Sequence, residues 1–439
     1  MSHLSVTNRS VLRPLLILAA ATFLSTAAMA GVVGSGTPTS CTGAALQAQV
    51  SAGGTVTFNC GAGPQTITLT STLVVGSTSP KVTIDGGDTI TLDGTGMTSE
   101  MVGIFGGTTS LPDATLRHIT LANGNITTGL GVGGAIQNFG TLTLDTVTIS
   151  QNKGSAIFQE SCTGCATASI TISHCLFQNN TTSGTGAAIS MEGGVASIAD
   201  STFSGNTAQG GGAIDVFSNS TFKVVMSIDR CTFNGNTATG FSGGGIAVES
   251  LNSGSSLVIR NSTFTGNTAS GSGGQGAALY LGAAPVTIIN CTIAGNTAAG
   301  SGGAVSFGTR TPVTDVVNTI IASNSGGNCA NASAGTFTAS YSLQFGDSTC
   351  LGIPVANPLL GPLADNGGLT QTMALGAGSP AIDAGDTGAA PPTDQRGLLR
   401  NDGNGDGIVA ADIGAFEAAM VIGGNIPPPP KRHRAVKPQ

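Results

Sequence analysis

The sequence predicts a right-handed parallel β-helix, an all-β solenoid in which short strands stack coil upon coil. Three observations predict this fold: a short motif that recurs along the chain, a glycine-rich second motif between its copies, and an unusual composition. Gly makes up 68 of the 439 residues, and charged residues make up only 8%. A compact domain averages about 25% charged residues. Arrays of repeats place small residues at tight corners again and again, and this explains the composition.

The first motif has the pattern Cys/Ser-Thr-Phe/Ile-x-Gly/Asn-Asn, as in residues 231–236. Its final asparagines lie 28, 26, 30, 31, 29 and 28 residues apart. Equivalent residues of stacked coils lie about 4.8 Å apart, so we expect these asparagines to form a column whose amides bond to one another. Asn also tolerates the left-handed backbone that such a corner demands. The predicted ladder consists of Asn152, Asn180, Asn206, Asn236, Asn267, Asn296 and Asn324.

Each coil is predicted to hold three short strands. The second motif, such as Gly211-Gly-Ala-Ile214, supplies one strand, and an alternating run such as Val286-Thr-Ile-Ile289 supplies another. Residues two apart on a strand share a face, so Cys231 and Phe233 should point inward and Thr232 outward. No window shows a sustained helical period, which argues against a repeat of strand and helix.

The N-terminus predicts export. Arg9 and Arg13 precede an apolar run over residues 15–24, and Ala28-Met-Ala30 places small residues at the spacing that signal peptidase needs. This pattern is typical of a signal peptide cleaved after Ala30. A membrane anchor is the alternative, but a spanning helix needs about 20 apolar residues and this run is shorter. We therefore expect a secreted protein with no transmembrane segment in the mature chain.

The N-terminal cap is predicted to contain a short helix over Cys41–Val50, with Thr42 as its cap residue, followed by the strand Thr55–Phe58. A solenoid needs such a cap, because the core of its first coil is otherwise open to water. The tail has four prolines followed by a basic cluster and is expected to be disordered. The predicted parts are a signal peptide (1–30), an N-terminal cap (31–64), the β-helix (65–326), an irregular C-terminal cap region (327–420) and the tail (421–439).

The charge of the exported body argues against nucleic-acid binding. Residues 31–430 hold all 22 acidic residues but only nine of the 15 basic residues, which gives a net charge of −13. Nucleic-acid binding depends on neutralising phosphates with basic side chains. A cell-surface or polysaccharide ligand is the partner that we expect instead.

Nine cysteines in an exported chain predict disulfides with at least one thiol left over. Cys175, Cys231 and Cys291 share one repeat position but lie two coils apart, about 9.6 Å, beyond the ~7 Å that a disulfide spans. We therefore expect them to be buried and unpaired. A redox role for Cys162 and Cys165 is the alternative to a loop disulfide, but it requires a thioredoxin-like helix start. The predicted pairs are Cys41–Cys60, Cys162–Cys165 and Cys329–Cys350.

The C-terminal region resembles the choice-of-anchor Q domain, which ends many bacterial exported β-helix proteins. The likeness covers residues 329–417, and its motifs occur in the order of that family. The glycine-rich and Phe-x-x-Asn repeats are similar to those of chlamydial polymorphic outer-membrane proteins, which are adhesins. No apolar anchor follows here, so release to the medium or periplasm is favoured over attachment. The motifs are Asn357-Pro-Leu-Leu, Asp365-Asn-Gly-Gly, Ser379-Pro-Ala-Ile-Asp-Ala-Gly385, Asp394-Gln-Arg-Gly397 and Asp412-Ile-Gly-Ala-Phe-Glu417.

One loop in this region is a candidate calcium site. Oxygen ligands at positions 1, 3, 5 and 7, with a glycine at the turn, are typical of calcium-binding loops. An acidic glycine-rich loop without calcium is the alternative, because Asp412 falls one position short of the usual final acid. The candidate ligands are Asp402, Asn404, Asp406, Ile408 and Asp412.

Enzymes also occur among β-helices, and the candidate catalytic residues here are Glu160, Glu192 and Glu249. Each lies three residues beyond the isoleucine of the second motif, and Phe217 holds this position on the coil between those of Glu192 and Glu249. Glu160 and Glu192 would lie on adjacent coils, near the ~5 Å separation of a retaining glycosidase pair. Few basic residues surround them, and the chain has no Trp and only two Tyr, which sugar grooves favour. We therefore favour a non-catalytic, adhesin-like or structural surface-interaction module over a polysaccharide hydrolase or lyase.

Overall fold

The chain forms an all-β parallel solenoid of about ten turns with one short α-helix near its N-terminus, which confirms the predicted fold class. Each turn contributes one strand to a ten-stranded sheet and passes twice through a larger, bent sheet. The predicted signal peptide and the whole predicted tail lie outside the described residues. The computed structural model describes residues 31–76, 81–106, 111–126, 133–161, 167–218, 222–250, 254–282, 285–308, 314–331 and 337–419.

The ten-stranded sheet contains the second motif of the repeat, and its paired strands are parallel throughout. Where the motif ends in isoleucine, as at Ile214 and Ile246, this residue begins the strand and its side chain is buried in the core. The strands are Leu73–Gly76, Val102–Phe105, Gly133–Asn138, Ser155–Glu160, Ile189–Glu192, Ile214–Phe217, Ile246–Ser250, Leu279–Leu281, Val305–Phe307 and Cys329–Ala330.

The bent sheet has two limbs that meet at a sharp corner. Three long strands, Val82–Asp93, Asp113–Ala122 and Thr141–Ser150, run through both limbs. The first limb adds Gly31–Val33, Gly54–Phe58, Ser169–Ser173, Gly194–Ala199, Val224–Asp229, Ser256–Arg260, Val286–Ile289, Thr314–Val317 and Phe337–Ser340. The second limb adds Gln65–Thr68, Leu176–Gln178, Thr202–Ser204, Thr232–Asn234, Thr263–Thr265, Thr292–Ala294, Ile320–Ala322 and Leu343–Phe345. After the second limb, four coils add a two-residue strand each, and these strands form a separate four-stranded sheet: Thr207–Ala208, Thr237–Ala238, Thr268–Ala269 and Thr297–Ala298.

The predicted asparagine ladder is present and continuous. Asn206 shows the pattern: its Nδ2 donates to Asn236 Oδ1 at 2.9 Å and to the carbonyl of Phe177 at 3.0 Å. Its backbone N–H also donates to Asn236 Oδ1, at 3.1 Å. The same bonds join each of the seven asparagines to the next, from Asn152 to Asn324.

The left-handed backbone lies one residue before the ladder, so the prediction that the ladder asparagines adopt it is wrong. The residue with positive φ is glycine in four coils, for example Gly235 at 66°. In other coils it is a polar residue such as Gln151 or Asn179. The ladder asparagines need the ordinary backbone, because their own N–H must face the amide of the next coil.

The core is a stack of like residues, as the repeat predicts. Phe177, Phe203, Phe233 and Phe264 lie on successive coils with ring centroids 4.6 to 4.8 Å apart and planes within 5° of parallel. The three cysteines of the repeat are buried and unpaired, as predicted. Ser201 and Ser262 occupy the coils between them, and each hydroxyl accepts the backbone N–H of the preceding cysteine at 3.1 Å. The alternation of Cys and Ser therefore places a bonded hydroxyl between successive thiols.

Both ends of the solenoid carry a disulfide. The helix spans Gly43–Ala52, and Thr42 Oγ1 accepts the Ala45 N–H at 3.1 Å, which confirms the predicted cap residue. Leu46 and Val50 face the core beside the Cys41–Cys60 disulfide. At the other end, the Cys329–Cys350 disulfide joins the strand Cys329–Ala330 to the segment that contains Cys350 and Ile353, and both of these residues pack in the core. Two predicted disulfides are thus present, and Cys162–Cys165 lies outside the described residues.

The C-terminal residues do more than close the end, because residues 357–419, the C-terminal strap, lie along the outside of the second limb. The strap contains an antiparallel hairpin of strands Leu360–Ala364 and Thr372–Leu375. Thr232 points away from the core as predicted, yet it is 0% exposed because the strap covers it. Its hydroxyl donates to the Gln371 carbonyl of the strap at 2.6 Å. The two preceding coils of this limb, by contrast, keep their outward side chains partly exposed.

One glutamine holds the strap to two coils at once. Gln395 is 1% exposed. Its Nε2 donates to the Cys231 carbonyl at 3.1 Å and to Thr232 Oγ1 at 3.0 Å, and its Oε1 accepts from Thr263 Oγ1 at 2.6 Å. Further along, the Ala415 N–H donates to Thr292 Oγ1 at 3.0 Å. The outward threonines of the repeat are therefore hydrogen-bonding partners of the strap.

Candidate functional site

The predicted carboxylates lie on the outer face of the ten-stranded sheet. Glu160 pairs in register with Glu192 on the next coil. Met191 pairs with Val216, which places Phe217 at the position that follows Glu192. Glu249 lies at a bulge on the coil after that, beside Phe217. The structure thus brings the predicted acids into one line, and we call Glu160, Glu192, Phe217 and Glu249 the acidic column.

No basic side chain of the described residues forms an ion pair with the acidic column. Burial raises the pKa of Glu160, and burial together with the charge of Glu160 raises the pKa of Glu192. Both carboxyls are half-buried. The two environments therefore move both pKa values in the same direction.

Asp215 is a further acid of this face, which the sequence pattern did not indicate. It lies two residues before Phe217 on the same strand and is only 4% exposed. Thr185 Oγ1 donates to its Oδ2 at 2.8 Å, while its Oδ1 has no hydrogen-bond partner. Burial, with smaller contributions from the charges of Glu249 and Glu192, raises the pKa of Asp215 to about 7. An acid directly after the Gly-Gly-Ala-Ile motif was the signal that could have identified it.

The Asp215→Asn variant should be more stable than the wild type at pH 8 but not at pH 4. The folded protein keeps the Asp215 proton up to about pH 7, whereas the unfolded chain releases it near pH 4. The wild type therefore loses stability as pH rises from about 4 to 7 and then no more. Each unit of pKa is worth about 1.4 kcal/mol, so the loss is on the order of 4 kcal/mol. Urea unfolding at both pH values measures it.

Asp88→Asn is the matched control, because Asp88 is exposed and its left-handed backbone suits Asn. This control should follow the wild type at both pH values. A stability difference between Asp215→Asn and the wild type that stays constant from pH 4 to pH 8 would contradict the assignment of a buried, protonated carboxyl.

The predicted calcium loop is closed by its own hydrogen bonds. Asp402 Oδ1 accepts the backbone N–H of Gly405 at 2.6 Å and of Asp406 at 3.1 Å. Asp406 Oδ1 accepts the Ile408 N–H at 2.8 Å, and Asn404 Oδ1 accepts the Asp406 N–H at 2.8 Å. Over the described part of the chain, no group of three or more His, Cys, Asp or Glu side chains could hold a metal ion.

Asp412 does not join this loop in the way that the sequence suggested. Its carboxylate is 0% exposed and accepts the backbone N–H of Asp383 at 2.7 Å and of Ala418 at 2.5 Å. The acid beside the loop is Asp383, whose Oδ2 accepts the Asn404 N–H at 2.7 Å. Calcium binding by Asp402, Asn404, Asp406, Ile408 and Asp412 stays a prediction.

The stacked motifs and the unbroken ladder identify the family of the chain. A family model described as a right-handed β-helix region matches residues 59–228 and 187–346, which together cover more than half of the chain. The chain belongs to the right-handed β-helix family. No curated protein matches this right-handed β-helix protein in sequence.

Among solved structures, this right-handed β-helix protein is similar to a PL6 family alginate lyase, AlyGC, with a TM-score of 0.43 and 14% sequence identity. The match covers 79% of this chain and 55% of the lyase chain, so the protein spans about half the length of that structure. Within the described residues, no helix has both the length and the apolar character needed to cross a membrane.

Proposed function

We propose that this protein is an exported, non-catalytic binding module that uses the lateral faces of its solenoid, in the manner of an adhesin. The observation that carries the proposal is the acidic column itself: Glu160, Glu192 and Glu249 lie in one line on an outer face of the solenoid, and none of them forms an ion pair within the described residues. A carboxyl that donates its proton to a glycosidic bond must also reach the polymer. Asp215, whose pKa is near neutrality, has its oxygens buried away from any polymer on the surface.

Binding suits the architecture for a second reason. Stacked repeats create long rigid surfaces on which outward side chains recur at a fixed spacing, and repeat proteins commonly bind extended ligands there. Two disulfides, which persist in oxidising compartments, support export, as does the signal-peptide pattern of residues 1–30. The resemblance of residues 329–417 to the choice-of-anchor Q domain supports a bacterial surface or medium location.

Incubation with a panel of polysaccharides tests this proposal. We expect the protein to co-sediment with or be retained by at least one polymer, and to release neither reducing sugar nor unsaturated product from any of them. The Glu192→Gln variant should give the same product-free result. Product release by the wild type that disappears in Glu192→Gln would overturn the proposal in favour of a carbohydrate-active enzyme.

A further inference from the structure

The first limb of the bent sheet has an open strand edge at each end of the solenoid. At the N-terminal end, Gly31–Val33 pairs with Gly54–Phe58, and at the C-terminal end, Phe337–Ser340 pairs with Thr314–Val317. Among the described residues, no second strand pairs with either of these end strands. An open edge presents unpaired backbone N–H and C=O groups, which are a template for another strand.

Neighbouring strand edges at the two ends are closed. Gln47 of the helix accepts the Val74 N–H at 2.8 Å and donates to the Val74 carbonyl at 3.2 Å, which caps the first strand of the ten-stranded sheet. At the other end, the Gln344 N–H of the second limb donates to the Pro354 carbonyl at 2.9 Å. The structure therefore caps these edges and leaves the first limb free to pair at both ends.

The backbone groups of the two open edges match. The Val33 carbonyl accepts an N–H of its own sheet at 2.8 Å, and the Ser340 carbonyl does the same at 3.2 Å. Successive residues of a strand turn their backbone groups to opposite neighbours, so Val32 and Ala339 present theirs to the open sides. Both strands belong to one limb of a parallel sheet. The N-terminal strand of a second copy would therefore continue the C-terminal edge in the native direction.

The side chains of the two edges fit in the register that these backbone groups require. The large inward ring of Phe337 would lie beside Gly31, which has no side chain, and the small Ala339 would lie beside Val33. Layers that alternate large and small residues fill the space between strands. The outward Val32, which is 51% exposed, would lose part of this exposure in the same contact.

The C-terminal end also exposes large apolar side chains next to its open edge. Tyr341 directly follows the edge strand, and Leu351 and Val355 flank Ile353, which packs in the core at this end. Their exposed fractions are 58%, 57% and 56%. Large apolar side chains that cluster on a surface mark contacts with other proteins. The C-terminal end therefore offers apolar surface in addition to backbone hydrogen bonds.

We propose that copies of the exported protein stack head to tail, with Gly31–Val33 of one copy adding to the first limb beside Phe337–Ser340 of the next. The predicted cleavage after Ala30 would make Gly31 the first residue of the exported chain, so no chain would precede the N-terminal edge. Each contact joins two different surfaces, and such contacts generate open filaments rather than closed dimers. The proposal does not depend on what the lateral faces bind.

Sedimentation velocity of the exported protein over a range of concentrations tests the proposal. We expect the wild type to form a series of species larger than the monomer, and electron microscopy to show rods longer than one solenoid. Val32→Pro and Ala339→Pro each remove one N–H that faces an open edge, and edge strands tolerate proline there. Each variant alone should stay monomeric at concentrations at which the wild type associates.

A mixture of the two proline variants makes the test specific. Val32→Pro keeps an intact C-terminal edge and Ala339→Pro keeps an intact N-terminal edge, so the mixture should form dimers and nothing longer. Val225→Ala, which shortens a 42% exposed valine in the middle of the first limb, should associate as the wild type does. A dimer of either proline variant alone would show pairing of like ends and overturn the proposal. A monomeric wild type, or a mixture without dimers, would overturn it as well.

A second pair of variants guards against misfolding by proline. Val32→Lys and Thr338→Lys leave the backbone unchanged and place a charge at the contact, which is a device by which edge strands resist pairing. Each should prevent filament formation alone, and their mixture should again give dimers. Circular dichroism checks that every variant is folded. Folded lysine variants that form filaments as the wild type does would contradict the assigned contact.

Discussion

The Asn236→Ala variant should lose at least about 3 kcal/mol of unfolding free energy. Asn236 Oδ1 accepts two N–H groups of Asn206, and its Nδ2 donates to Asn267 Oδ1 at 2.9 Å and to the Phe203 carbonyl at 3.0 Å. Asn206, Asn236 and Asn267 are 0% exposed. Alanine would leave the buried Asn206 N–H unpaired, and Asn206 Nδ2 and Asn267 Oδ1 would each lose one of two hydrogen bonds. A buried unpaired group costs about 1–3 kcal/mol, and each further lost bond adds to this. Chemical unfolding followed by circular dichroism measures the loss.

Two further variants make the ladder prediction specific. Asn59→Ala removes an exposed asparagine and should unfold like the wild type. Asn236→Asp keeps the acceptor but replaces the donating amide with an oxygen, so it should also be destabilised. The loss should grow as pH rises above about 4, because the unfolded chain then ionises this carboxyl while burial keeps it protonated in the folded protein. An Asn236→Ala protein within about 1 kcal/mol of the wild type would mean that the ladder contributes little.

The Arg400→Met variant should detach the C-terminal strap from the solenoid and cost about 3–5 kcal/mol. Arg400 Nη1 pairs with Glu417 Oε2 at 2.8 Å, and the two side chains are 6% and 0% exposed. Arg400 Nη2 also donates to Asn261 Oδ1 on the solenoid at 3.1 Å. Removing the cation leaves a buried carboxylate without its partner, which is the costly way to break such a pair. Limited proteolysis should then cut residues 357–419 faster than in the wild type.

A double variant distinguishes the ion pair from general packing. Arg400→Met with Glu417→Leu removes both charges, and replacing a buried pair by apolar residues is often neutral. It should recover part of the resistance to proteolysis, although the Glu417 contacts to the Asn401 and Asp412 N–H groups are lost. Cleavage of the single variant at the wild-type rate would contradict the role assigned to Arg400.

The register of the solenoid was predictable because each coil repeats the same physical problem. The asparagine spacing placed seven residues in one column, and the same alignment placed Glu160 beside Glu192. The buried cysteines followed from their spacing of two coils. Local chemistry of this kind depends on residues that are neighbours in the repeat, and a repeat displays those neighbours directly in the sequence.

The strap was not predictable, because its contacts join residues far apart in the chain. Gln395 bonds to Thr232, 163 residues away, and nothing in the repeat marks Thr232 as covered. Asp215 bonds to Thr185 of the preceding coil, a residue that lies outside the repeated motifs. The backbone at the ladder corner was misplaced by one residue, since both Asn and Gly tolerate positive φ and the motif contains both.

The burial of the three unpaired cysteines of the repeat has a consequence for folding in an oxidising environment. Disulfide exchange requires a thiolate, and burial raises the pKa of Cys175 and of Cys291 to about 12. Once a coil has stacked, its thiol is therefore inert towards oxidants and towards the disulfides at the two ends. Mispairing is confined to the time before stacking, so coils that assemble quickly protect the native Cys41–Cys60 and Cys329–Cys350 bonds from reshuffling.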